Sequence, residues 1–375
     1  MKAKNKSNSS VVACFIASFI LLVSLLVLPK VQAAAGDTFT LDGLIYTVQT
    51  EDPAAQTGTV SVQAESKEIS GDVVIPSSVI NGEINYSVTL IPDEAFRECF
   101  SLTGITIPKC VAAIGNLAFI RCSELTNIII PDSVAEIGLL TFYGCDKLPP
   151  VLFSTGKKIL VRYSKENTAE KYSIPDTVTY IAAGAFMECS NLTSIEIPDS
   201  VTEIGSLAFH NCNKLPPILF SKGKKILVRY SLSNKDSSYN IPNTVTYIAS
   251  SAFQGCSTLT NIVIPDSVTH IGLGVFEGCS NLTNIAIPDS ITEIRGQTFH
   301  RCSKLTSIII PNSITAIGEK AFRGCSTLTA VYFEGNAPKL LGRAAFDDPS
   351  VIYYKPGSTG WTDTWDGRPT EKWVE

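Results

Sequence analysis

The sequence predicts a right-handed, β-rich solenoid of short parallel strands with little helix, and three observations predict it. A 23-residue unit recurs: Cys189–Asn211 reads CSNLTSIEIPDSVTEIGSLAFHN, and most of the chain after residue 90 repeats it. Cys opens the unit at 99, 122, 145, 189, 212, 256, 279, 302 and 325, with six gaps of 23 residues and two of 44. Phe closes it at 96, 119, 142, 186, 209, 253, 276, 299, 322 and 346. Self-similarity at such a period means coils stacked on one another, none able to bury its apolar face alone.

Each piece of the coil follows from residue chemistry. Leu192, Ile195 and Ile197 are spaced to point inward from one strand, while Ser194 and Glu196 point out. Pro198-Asp199-Ser200 is turn chemistry, since Pro presets φ and Asp or Ser side chains bond nearby backbone N–H groups. A second extended piece directs Val201 and Ile204 inward, and Gly205 is expected to relieve the next bend. Coils spaced about 4.8 Å apart allow the Phe rings to form one continuous offset-stacked spine.

This unit resembles the BspA-type leucine-rich repeat of bacterial and protist surface proteins, over residues 70–350. The resemblance implies a leucine-rich repeat solenoid that adheres to host matrix proteins, cells or other microbes.

In chain order, residues 1–33 read as an export signal: Lys2, Lys4 and Lys6, the apolar run Val11–Leu28, then small residues around Ala33. An uncleaved membrane anchor is the alternative, because the run is long for a signal core. Cleavage after Ala33 removes four Lys and moves the net charge from −5 to −9, which argues against a nucleic-acid partner. Residues 34–98 alternate apolar and polar residues between Gly, Asp and Asn, as expected of an N-terminal β cap and degenerate first repeat. The array proper spans 99–348, with enlarged units at 145–188 and 212–255 that share KKILVRYS and TVTYIA. Alternation in KKILVRY sets Ile159, Val161 and Tyr163 on one face and Lys158, Leu160 and Arg162 on the other, which predicts an extra strand or hairpin on the flank. After Phe346 the repeat stops, and residues 349–375 form an aromatic-rich C-terminal cap holding Trp361, Trp365 and Trp373.

Nine of the eleven Cys share one repeat position, which fits a ladder of buried free thiols; stacked Cα atoms about 5 Å apart leave disulfides open as the alternative. Zinc spacing is missing, and His210 and His300 fall at a variable turn position. The post-proline residues Asp132, Asp176, Asp199, Asp266 and Asp289 fit turn capping better than a calcium ladder, because Lys109, Asn243 and Asn312 interrupt the row. No nucleophile elbow, phosphate loop or cofactor motif is visible, so no enzyme activity and no cofactor is expected.

Two surfaces are candidates for binding an extracellular protein or glycan. One is basic and aromatic and comes from the enlarged units: Lys157, Lys158, Arg162, Tyr163, Lys224, Lys225, Arg229 and Tyr230. The other is the outward row of the first strand, including Ile129, Glu196, Val263, Ile309 and Tyr332, which is unusually apolar. A glycan-binding role for the Trp-rich tail, and an envelope component without a ligand, are the rival readings. Membrane contact is expected only through the N-terminal segment.

Overall fold

The computed structural model describes residues 35–342, 344–346 and 350–373. The expected export signal at 1–33 lies outside the described residues. The described chain is a β-solenoid of about 11 turns, without helix. Each ordinary coil gives one strand to each of two parallel ladders. In the coil that opens at Cys189 these are Ser194–Glu196 and Glu203–Ile204, paired in register with Lys171–Ser173 and Tyr180–Ile181 of the coil before.

Local chemistry explains the path. Leu192, Ile195, Ile197, Val201, Ile204 and Phe209 are all buried, as their spacing requires. Val201 N–H bonds Pro198 O at 3.2 Å and closes the post-proline turn. Gly205 is needed for a different reason from bend relief. A Cβ there would lie 2.4 Å from Ala183 N of the preceding coil, and the left-handed residue of the bend is Leu207, with φ 58.

The Cys ladder is buried and unbridged. From Cys122 onward each Sγ donates to the carbonyl of the aromatic residue one coil back, such as Cys122 to Phe96 O at 3.0 Å, Cys212 to Phe186 O at 2.9 Å and Cys279 to Phe253 O at 3.2 Å, while Cys99 at the first level turns to Ser66 O at 4.0 Å. A buried donor is thereby satisfied at every level. Burial pushes the Cys99, Cys189 and Cys256 thiols up to about 12 and Cys212 to about 11. The unfolded chain ionises these thiols near pH 9 and so binds fewer protons above it. Their contribution to stability is therefore intact below about pH 9 and lost as pH rises toward 12. Urea midpoints should fall across that window, and Cys256→Ala should make the fall shallower; an unchanged slope in that variant would refute the assignment. Native protein should label at Cys110, the partly exposed thiol, and denatured protein at all ten Cys from residue 99 onward.

The enlarged units are not single coils bearing a flank hairpin. Each contains two coils, a short one followed by an ordinary one. Glu166 takes the place of the opening Cys, 21 residues after Cys145 and 23 before Cys189, and Ser233 does the same in the second unit. Register establishes this: Ile159 pairs with Tyr180, Leu160 pairs with Ile181, and Tyr163 N–H bonds Ala185 O at 2.7 Å. In the short coil Val151–Phe153 turns back antiparallel to Ile159–Tyr163, and the latter strand enters the second ladder. That strand is buried on both faces, with Ile159, Leu160, Val161 and Tyr163 all inside, so the expected two-sided alternation does not hold.

The short coils interrupt the spine. Rings stack in three runs: Phe96 to Phe142, Tyr163 to Phe209, and Tyr230 to Phe346, with centroids 4.7–5.5 Å apart. Among the described residues no ring contact joins Phe142 to Tyr163 or Phe209 to Tyr230. The expected continuous spine is therefore three blocks, which match three separate apolar clusters.

At the ends the ladders are extended rather than stopped. Thr38–Leu41, Leu44–Asp52 and Thr57–Ala64 form an antiparallel meander whose third strand lies parallel to Ile84–Ile91 and so lengthens the second ladder. Beyond Phe346 the sequence repeat is lost, yet Val351–Tyr354 and Arg368–Lys372 continue the first ladder. Trp361 and Trp365 pack against Phe333 with centroids at 4.8 and 5.4 Å, and Trp361 Nε1 donates to Gly335 O at 3.2 Å.

Candidate binding groove

The basic residues of the enlarged units separate into two groups. Lys157, Lys158, Lys224 and Lys225 are exposed on the loops joining the two strands of each short coil. The post-proline carboxylates of the preceding coil brace these loops: Gly156 N–H bonds Asp132 Oδ1 at 3.1 Å, Ser154 Oγ donates to the same oxygen, and Gly223 N–H bonds Asp199 Oδ1 at 2.8 Å. Asp132 and Asp199 therefore bond across to the next coil, 22 to 24 residues on, rather than capping their own turns as the sequence suggested.

Arg162 and Arg229 turn inward instead. They occupy the position held by the small inward Ala185 and Ala252 of neighbouring coils and reach toward the Cys that opens their own coil. Arg162 is only 13% exposed, with Nη2 4.0 Å from Asp146 Oδ1, and Arg229 Nη1 donates to Cys212 O at 2.9 Å. Tyr163 and Tyr230 take the spine position of Phe and are buried. None of these four presents its side chain as an exposed contact, contrary to the sequence expectation, because the short coil draws its second strand into the core.

The outward row of the first strand is exposed but broken. Ile129, Val263 and Ile309 are 45%, 48% and 49% exposed, and Glu196 accepts from Ser173 Oγ at 2.9 Å. Leu152 and Leu219, expected in the same row, are buried. Their strands leave the first ladder and pair antiparallel with Ile159–Tyr163 and Ile226–Tyr230, so these leucines do not continue the outward row. Tyr332 is half-buried, stacked on Tyr353 at 5.0 Å and covered by Trp373.

The second ladder carries the larger feature. Its outward row reads Ala113, Glu136, Tyr180, Glu203, Tyr247, His270, Glu293, Ala316 and Lys339 in the ordinary coils. A groove of about 740 Å³ along this face is lined by residues from Asn116 to Gln297, with Glu136, Tyr180, Glu203 and Arg295 among them. A contiguous cavity of about 530 Å³ holds Glu203, Lys225, Tyr247, His270 and Arg295. Burial pushes the Tyr180 hydroxyl up to about 12, with the Ile137 backbone drawing it back and Glu203, Glu136 and Tyr247 adding to the rise. Burial likewise raises Tyr247, helped by Glu203 and opposed by Ser250, the Ile204 backbone and Arg295. Ile137 and Ile204 lie on the far side of a short coil from these tyrosines. Residues two coils apart thus approach one another across each short coil, and the groove makes the second-ladder face concave.

Sequence reasoning missed Tyr180, Glu203, Tyr247, His270 and Arg295 as a set. The available signal was the Tyr of TVTYIA, which appears twice at a position where other coils carry Ala, Glu, His or Lys. The groove's alternation of aromatic, acidic and basic groups suits an extended partner that makes stacking, hydrogen-bond and ionic contacts. Among the described residues, no group of three His, Cys, Asp or Glu is placed to hold a metal ion.

The family model for the BspA type leucine rich repeat region matches this chain at residues 76–169, 157–241 and 229–352, in six copies. No curated protein matches it. Among solved structures, the chain is similar to a leucine-rich repeat protein from Bacteroides ovatus, at 26% identity over 90% of this chain and 100% of that one, with TM-score 0.37. It is also similar to a leucine rich cell surface protein from Faecalibacterium prausnitzii, at 27% identity over 81% and 97% of the two chains, TM-score 0.35. A third is the pneumococcal vaccine antigen PcpA, at 20% identity over 87% and 95%, TM-score 0.36. With repeat copies matched from residue 76 to residue 352, the chain belongs to the BspA-type leucine-rich repeat family.

Proposed function

We propose that this protein is a secreted or surface-tethered, non-enzymatic binding protein that holds an extracellular protein or glycan along its concave groove, serving adhesion to host matrix, cells or other microbes. The observation that carries the reading is the groove itself, about 740 Å³ with Tyr180 and Glu203 in its lining and exposed Lys225 at its contiguous cavity. Tyr and Arg are favoured in interface hot spots, and here Tyr180, Tyr247 and Arg295 converge on one surface. The export reading of residues 1–33 supports the location, and the acidic net charge supports a partner other than nucleic acid. The tail is the weaker glycan candidate, since Trp361 and Trp365 spend their faces on Phe333.

Two variants test this on adhesion to a panel of matrix proteins and glycans, at low and physiological salt. Tyr180→Ala with Tyr247→Ala should weaken binding at both salts by about 2 kcal/mol or more, as loss of hot-spot residues does. Changing Lys157, Lys158, Lys224 and Lys225 together to Ser should flatten the salt dependence, because exposed charge contacts are screened beyond about 8 Å at physiological salt. If the Tyr pair leaves adhesion unchanged, the groove is not the site; if no panel member binds the parent chain, the adhesion reading fails.

A further inference from the structure

The two coil breaks are built alike, and the difference between them points to a ligand. Residues of the first break recur 67 positions later: Tyr143 becomes His210, Asp146 becomes Asn213, Arg162 becomes Arg229, Lys165 becomes Leu232, Met187 becomes Gln254 and Glu188 becomes Gly255. At the first break the inward Arg162 has the Asp146 carboxylate beside it. Lys165 closes the mouth there, paired with Glu188 at 3.1 Å and lying 5.1 Å from the Tyr143 ring centroid. What remains is a void of about 60 Å³.

At the second break every one of these closing groups is absent. The cleft is about 220 Å³, walled by Phe209, Val228, Tyr230 and Leu207. Arg229 lines it together with His210, Asn213 and Gln254, and no Asp or Glu does. The guanidinium is largely buried, and its hydrogen-bond partners are neutral: Nη1 donates to Cys212 O at 2.9 Å and Nη2 to Ser231 Oγ at 3.3 Å. Asp236 accepts from Tyr230 Oη at 3.4 Å and does not reach the cleft. Burying a cation without an anion is costly, and a guanidinium offers five N–H donors arranged to match a carboxylate.

We propose that the cleft between Phe209 and Tyr230 binds a carboxylate carried on a small apolar or aromatic body, its acid group on Arg229 and its body against the two ring walls. The ligand supplies the charge that Asp146 supplies at the first break. A cleft of this size takes a small acid or a terminal residue rather than a drug-sized molecule, whose pockets run to about 300–1,000 Å³. Burial holds both guanidiniums below their usual range; at Arg162 the Cys145 and Cys189 thiols and the Asp146 carboxylate oppose it, whereas at Arg229 only the Cys212 and Cys256 thiols do.

Calorimetry on the full chain with benzoate, its neutral isostere benzamide, and a peptide ending in Phe as free acid or amide tests the proposal. At least one free acid should bind saturably, and its neutral partner should bind about tenfold more weakly or worse. Binding of benzoate alone identifies a free small acid; binding of the peptide acid identifies a partner's C-terminus. Asn213→Asp restores the internal carboxylate and should weaken binding by about tenfold or more without lowering the melting temperature. Arg229→Lys keeps the charge, loses the fork, and should also weaken it. Equal affinity for benzoate and benzamide, undiminished affinity in a folded Asn213→Asp variant, or no saturation by either acid up to about 10 mM would overturn the assignment.

Discussion

Phe276→Ala is expected to lower the stability of the solenoid by about 3–5 kcal/mol, the range for deleting a buried Phe. Its ring is fully buried and is stacked on both sides, on Phe253 at 5.4 Å and Phe299 at 5.5 Å, inside the longest of the three blocks. Neighbouring coils are tied by backbone ladders and cannot collapse into the vacated space, so most of the cavity remains. Phe209 provides an internal comparison. It ends a block, stacking on Phe186 at 4.9 Å with the 220 Å³ cleft on its other side. Its truncation should fall at or below the bottom of that range, roughly 3 kcal/mol. His210, exposed at the adjoining turn, should tolerate Ala within about 0.5 kcal/mol. Denaturant unfolding of the three variants decides the matter: equal losses at Phe276 and His210 would refute the inward and outward assignment, and equal losses at Phe276 and Phe209 would refute the block boundary.

Gly205→Ala carries the second large expectation, a loss of about 1–3 kcal/mol or more from overpacking against backbone that cannot yield. The added Cβ would meet Ala183 N at 2.4 Å and Ala183 Cα at 2.7 Å. Relief requires the two coils to part, which weakens the bond from Gly205 N–H to Ile181 O, now 2.8 Å. The same clash is present at Gly272 and Gly318, so each should behave alike. Gly184→Ala is the contrast: it has φ +67 and its nearest neighbour is 3.4 Å away, so its cost is conformational and about 1 kcal/mol. Amide exchange at Ile181 and Gly205 should quicken in Gly205→Ala and stay near the parent rate in Gly184→Ala. Parent-like exchange in both would mean that close approach of coils does not dictate glycine here.

The sequence by itself determined the coil. A strict period places Leu192, Ile195, Ile197, Val201, Ile204 and Phe209 at fixed angles, and stacking identical units leaves one inside for all of them; the buried thiols follow from the same register. It did not determine how the enlarged units fold. With Cys replaced by Glu166 and Ser233, the marker that would have shown two coils is missing, and ILVRY has the alternation of a half-exposed strand although it is buried on both faces. Alternation reports polarity along one strand and cannot tell which neighbour covers each side. For that reason Arg162 and Arg229 read as surface residues, whereas the structure turns them into the gaps left by broken ring stacks. The groove lies further still from what the sequence shows. Tyr180, Glu203, Tyr247 and Arg295 belong to four different coils; Tyr180 and Glu203 are register neighbours in the second ladder, and it is the stacking of coils around the short ones that lines Tyr247 and Arg295 up with them. Periodicity is a property of neighbours along the chain, while curvature is set by contacts between coils, and those exist only once the coils are stacked.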